Sequence, residues 1–187
     1  MGRIPIRLIN NVFIGNNVKK TGGIRIINAG HIIRNNLLVG LKGDGFRGPI
    51  VVMNGVYNSP LNRYHQVKNV DIQNNTIINS GAIAIGEGKD DEKTLPPINT
   101  IIANNVIYNA TSSSSFNFVD TTSGVLFKNN FIDSNDALQA GFVKTKINWK
   151  EVSNIPIPTL ENNALLNTFK NQNSPRLQVN HLQQSSS

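Results

Sequence analysis

Arg25 stands between Ile24 and Ile26 in the run Gly23-Ile24-Arg25-Ile26-Ile27. On a strand, alternation sends the two isoleucines inward and the guanidinium outward. An outward arginine on a sheet face can hold a carboxylate through two parallel N–H···O bonds. The competing assignment is a solvated surface arginine. A second group is Asn62-Arg63-Tyr64-His65, a fork donor, a phenol and an imidazole beside an amide. Those types suit sugar hydroxyls and carboxylates. They would equally serve a packed surface loop anchored by Tyr64. His31 opens an apolar run and is expected to cap or pack. The acidic run from Glu87 to Glu92 lacks the alternating oxygen spacing of a calcium loop and is expected to be solvated. Trp149, the only tryptophan, is expected to pack near the end of the fold.

Charge points to the kind of ligand. The chain of 187 residues carries 18 Lys+Arg against 11 Asp+Glu, a net charge of +7. Such a surface favours polyanions through steering and counterion release. Nothing resembles a helix-turn-helix, an RRM or a zinc finger, and aromatics are only 6%. Nucleic acid is therefore not expected, and an acidic polysaccharide fits better. There is no cysteine, which excludes thiolate catalysis and Cys-zinc sites. No run approaches the ~20 apolar residues of a membrane-spanning helix, so no membrane partner is expected. The first residues show no signal-peptide pattern.

The elements that position these residues come from a repeat. A short apolar alternation, then Asn-Asn, then two or three apolar residues recurs six times, with first asparagines at 10, 35, 74, 104, 129 and 162. The offsets run from 25 to 39 residues, the range of a solenoid repeat. Strand-type alternation around a fixed turn predicts a parallel β-helix. Its corner needs φ > 0, which asparagine tolerates. Stacked from turn to turn, the amides can form a ladder. Between the copies lies a second strand type: 23–27, 49–53 and 81–85, with weaker versions at 116–119 and 140–143. Each turn thus has at least two strands. The uneven offsets place insertions at 40–48, 55–66 and 86–97, expected to cluster on one side. The domain reading is a β-helix over 1–170 and a weakly ordered tail over 171–187.

Three stretches go beyond a generic solenoid: Phe13-Ile14-Gly15-Asn16, Thr21-Gly22-Gly23-Ile24-Arg25-Ile26-Ile27, and Phe46-Arg47 through Asn54-Gly55-Val56-Tyr57-Asn58-Ser59-Pro60-Leu61-Asn62-Arg63-Tyr64-His65. In this order they resemble the polysaccharide lyase family that includes chondroitinase B and its alginate lyase relatives (polysaccharide lyase family 6), over about residues 8–135. The resemblance implies a right-handed parallel β-helix that cleaves a uronate polysaccharide by β-elimination, alginate first and chondroitin or dermatan sulfate next. It implies a calcium ion held by Asn and Glu side chains, a lysine base, an assisting arginine and export from the cytoplasm. It also implies substrate contact at Arg25 and at Arg47, a position where the family carries an arginine.

The residues that match the family's calcium ligands and catalytic lysine belong to rungs before Phe13, and the assisting arginine would fall near Met1. The expectation is therefore an incomplete set of rungs, with no catalytic residue and no metal ligand in this chain. The expected substrate contacts are Arg25, Arg47, Asn62, Arg63, Tyr64 and His65. A non-catalytic polyanion-binding or structural β-solenoid is the alternative.

Overall fold

The computed structural model describes residues 4–61, 63–108, 114–132 and 141–144. Its strands fall into three parallel sheets. The first holds β1 (Arg7–Ile9), β4 (Ile32–Arg34), β7 (Asp71–Gln73), β10 (Thr100–Ala103) and β13 (Val125–Lys128). The second holds β2 (Val12–Ile14), β5 (Leu37–Val39), β8 (Thr76–Ile78), β11 (Val106–Tyr108), β14 (Asn130–Ile132) and β15 (Phe142–Lys144). The third holds β3 (Ile24–Ile26), β6 (Ile50–Met53), β9 (Ile83–Glu87) and β12 (Phe116–Phe118). One circuit therefore runs first sheet, Asn corner, second sheet, loop, third sheet. The fold is a parallel β-helix with three strands per turn.

The two asparagines of each corner have different tasks. The first adopts the left-handed conformation: φ is 61° at Asn10, 54° at Asn35, 56° at Asn74, 54° at Asn104 and 50° at Asn129. The second points inward and builds the ladder. The amide nitrogens of Asn11, Asn36, Asn75 and Asn105 donate to the side-chain oxygens of Asn36, Asn75, Asn105 and Asn130 at 3.1, 2.9, 3.0 and 2.9 Å. The backbone N–H of each donor asparagine reaches the same oxygen. The other amide hydrogen bonds a carbonyl one rung back: Leu8 for Asn36, Ile33 for Asn75, Ile72 for Asn105 and Ile102 for Asn130. Asn11 turns instead to Ile9 of its own rung.

Alternation fills the interior. Leu8, Ile33, Ile72, Ile102 and Phe127 stack in register on the first sheet. Phe13, Leu38, Ile77, Ile107 and Ile132 do so on the second. Ile26, Ile50, Val52, Ile83, Ile85 and Phe116 close the third side. Each fully buried Ile or Leu contributes about 1.5–3 kcal/mol of transfer free energy. Toward the C-terminal end, aromatics take over, with Phe116 edge-on to Phe142 at 4.9 Å and to Phe127 at 5.9 Å.

The sequence of 140–143 suggested another strand of the third sheet, but the described residues 141–143 do not continue it. β15 pairs with β14 in the second. Gly141, at φ 93°, brings the chain down so closely that a Cβ would lie 2.2 Å from the Phe127 carbonyl oxygen. The Phe142 ring thereby reaches the core aromatics. The repeat at Asn162, Trp149 and the tail over 171–187 lie outside the described residues.

The insertions do gather on one side, outside the third sheet. Val51, Met53 and Ala84 face away from the interior yet are buried, covered in part by Ile27 and Tyr64. Gly55 and Leu95 exchange backbone hydrogen bonds of 2.8 and 2.9 Å, which joins two of the loops.

The ladder predicts a positional gradient. Asn75→Ala strands the buried donors of Asn36, each costing about 1–3 kcal/mol, so urea denaturation should show a loss of at least about 3 kcal/mol. Asn11→Ala, at the half-buried end, should cost about 1 kcal/mol or less.

Candidate functional site

Where the chain enters the third sheet it runs past a short turn from the next rung. Gly22 and Gly23 permit this approach. A Cβ on Gly23 would sit 2.2 Å from the Pro49 carbonyl oxygen, and one on Gly22 would sit 3.2 Å from the Arg47 Cα. The turn is a 3₁₀ segment, Gly45–Arg47, opened by Gly45 at φ 48°. Between strand and turn lies a cleft of about 280 Å³, lined by Gly22, Gly23, Arg25, Phe46, Arg47 and Val51. That volume lies just under the usual range for small-molecule pockets, so it offers room for about one ring-sized group.

Arg25 emerges outward from β3, as alternation requires, and Ile26 beside it is buried. Its Nη2 donates to the Phe46 carbonyl at 2.7 Å. Its guanidinium carbon lies 5.7 Å from the Phe46 ring centroid, a cation–π contact. These contacts fix the guanidinium while leaving most of its five N–H donors without a partner among the described residues. Arg47 is exposed on the same cleft, and its side chain has no hydrogen bond or ion pair among the described residues. The cleft lining includes two cations and no carboxylate.

The other sequence candidates sit apart from this cleft. Arg63 pairs with Glu92. Tyr64 packs on the Val51, Met53 and Ala84 cluster, with the Lys93 ammonium 5.9 Å from its ring centroid. His65 Nε2 lies 2.8 Å from the Pro60 carbonyl oxygen. Asn62 is outside the described residues. The link between the two groups is Val51, which lines the cleft on one side and meets the Tyr64 cluster. Sequence reasoning missed Phe46. Its signal was adjacency to Arg47 in the Phe-Arg pair. His31 is structural: its Nδ1 accepts from the Ile6 N–H at 3.0 Å, so Nε2 donates to the Ile27 carbonyl at 2.8 Å.

The acidic run divides. Glu87 ends β9 and is buried, whereas Asp90, Asp91 and Glu92 are exposed. Hydrogen bonds from the Lys93 side chain and backbone pull the Asp90 carboxyl down to about 2. Asp120 is also held below the ordinary aspartate value, first by Lys89 and then by Asn54, whose amide donates at 2.7 Å. Among the described residues, no three His, Asp or Glu side chains gather as a metal site.

The chondroitinase B family profile matches residues 5–175. This chain belongs to the chondroitinase B family of polysaccharide lyases. It is similar to the PL6 family alginate lyase AlyGC, at 45% identity and a TM-score of 0.73, over 75% of this chain and 20% of that one. It is also similar to a mannuronic acid specific polysaccharide family 6 lyase from human gut microbiota, at 26% identity and a TM-score of 0.60, over 79% of this chain and 36% of that one. The chain thus spans about a fifth and about a third of the lengths of these two lyases. Among curated proteins no match was found.

Asp120 predicts an acid limb. Its folded carboxyl titrates below the unfolded one, so its contribution is complete above the ordinary aspartate value and is lost as pH falls through the depressed value. Asp120→Asn should lower stability at neutral pH and flatten the decline that denaturation curves show as pH falls below the ordinary aspartate value. An unchanged acid limb would assign that decline to other carboxylates.

Proposed function

We propose that this chain is the substrate-binding part of a polysaccharide lyase. It holds a uronate carboxylate of an acidic polysaccharide between Arg25 and Arg47. One observation carries this reading: two arginines converge on a cleft of one-ring size whose lining contains no carboxylate. Arginine is matched to carboxylates in fork geometry, and Arg25 is already oriented by the Phe46 ring and carbonyl.

The same lining argues for binding over proton abstraction. Arginine stays charged in proteins and cannot take up a proton, so neither guanidinium is a general base. A calcium ion, which the family resemblance implies, finds no carboxylate in this cleft, and the donor set does not fit it. The cleft's chemistry is to neutralise and orient an anion. Arg63, Tyr64 and His65 border the same face and fix the loop through Glu92, the Val51 cluster and Pro60.

Alginate is the first substrate choice, supported by the likeness to AlyGC, and dermatan sulfate is the second. Such polymers lie outside the cytoplasm, so a secreted or periplasmic location follows from this reading.

Titration calorimetry with alginate oligosaccharides tests it. Arg25→Ala and Arg47→Ala should each weaken binding about 10- to 100-fold, the equivalent of a charged hydrogen bond of ~1.5–3 kcal/mol. An assay for unsaturated uronate product should stay flat with the wild-type chain. Unchanged affinity in both variants would refute the cleft, and product formation would refute the binding-only role.

A further inference from the structure

Among the described residues, thirteen non-glycine residues adopt positive φ, and twelve are asparagines. The thirteenth is Lys20, at φ 64°. A lysine in the left-handed region is strained where asparagine or glycine would not be. It stands on the corner between β2 and β3, two residues before Gly22 opens the Arg25–Arg47 cleft. Its neighbour Lys19 pairs in parallel register with Lys42 of the next rung, placing lysine beside lysine.

The corner is held in place. The Thr21 hydroxyl donates to the Val18 carbonyl at 2.7 Å and accepts from the Lys42 N–H at 3.0 Å. Gly43 N–H reaches the Thr21 carbonyl at 2.8 Å. Lys19 and Lys20 are exposed, and none of the ion pairs among the described residues uses them. Two exposed cations on a held corner, one of them on strained backbone and neither in an ion pair among the described residues, suit a ligand with more than one negative charge.

We propose that Lys19 and Lys20 form a second anion subsite that continues the Arg25–Arg47 cleft and takes a further carboxylate of the same polyuronate chain. The inference rests on the cleft reading, since it needs a chain already anchored there. The lysines act as compact, hydrated charges at the rim, so they add attraction and reach more than geometric selectivity.

The test is the double variant Lys19→Gln with Lys20→Asn, which puts at position 20 the residue type that the other non-glycine positive-φ positions carry. Its melting temperature should equal or exceed that of the wild type. Binding of an alginate hexasaccharide should weaken about three- to ten-fold, and binding of a disaccharide should not change. The hexasaccharide difference should shrink in high salt. Unchanged hexasaccharide affinity would overturn the subsite. An equal loss for both lengths would also overturn it, because it would show general electrostatic attraction. Arg25→Ala and Arg47→Ala, run in parallel, separate the two claims: they should weaken both lengths. If they weaken neither, the cleft reading fails, and the second subsite fails with it.

Discussion

The asparagine ladder is the constraint on which the rest of this structure depends. A parallel β-helix must bend its chain at the same place on every turn, and the bend leaves polar backbone inside an apolar stack. The first asparagine of each corner makes the bend, and the inward second one satisfies the backbone. From Asn36 to Asn105, its oxygen accepts two hydrogen bonds from the rung before. Its amide donates forward to the next rung and back to a carbonyl. A slip of one residue would break this pattern and turn every core side chain outward. Register, core and corner are therefore one interaction seen at three scales.

With one corner fixed, variation in rung length has to be absorbed elsewhere. The spacing between successive ladder asparagines ranges from 25 to 39 residues, yet the strands stay in register. The surplus leaves the coil around the third sheet, where its loops bury Val51, Met53 and Ala84 from outside. The cleft follows from this arrangement. The Gly45–Arg47 turn closes over β3 because Gly22 and Gly23 let it come near, and its Phe46 carbonyl and ring then hold Arg25.

Much of this was legible in the residues, for identifiable reasons. The Asn-Asn pairs repeat in one frame because the corner is chemically demanding, so the solenoid, the ladder and the outward Arg25 could all be read. The separate duties of the two asparagines could not, since one needs a φ value and the other a neighbour on another rung. The strands of the third sheet were legible at 23–27, 49–53, 81–85 and 116–119, each opened by a glycine, a proline or a loop. Phe142 was misplaced because its partners Phe116 and Phe127 are close only after folding. Apolar residues on both faces of β6, such as Val51 beside Val52, signal a covered sheet but not what covers it. Tyr64 shows the same limit: its type allowed either sugar contact or packing, and only the fold sets it on Val51.

The central claim is that the strand-and-turn cleft, built by the corner and loop geometry, is where a uronate binds. A crystal structure of the chain with a mannuronate oligosaccharide tests it most directly. A carboxylate should lie within hydrogen-bonding distance of the Arg25 or Arg47 guanidinium, with the sugar ring in the cleft above Val51. An oligosaccharide ordered instead along the first sheet, with both arginines unengaged, would contradict it.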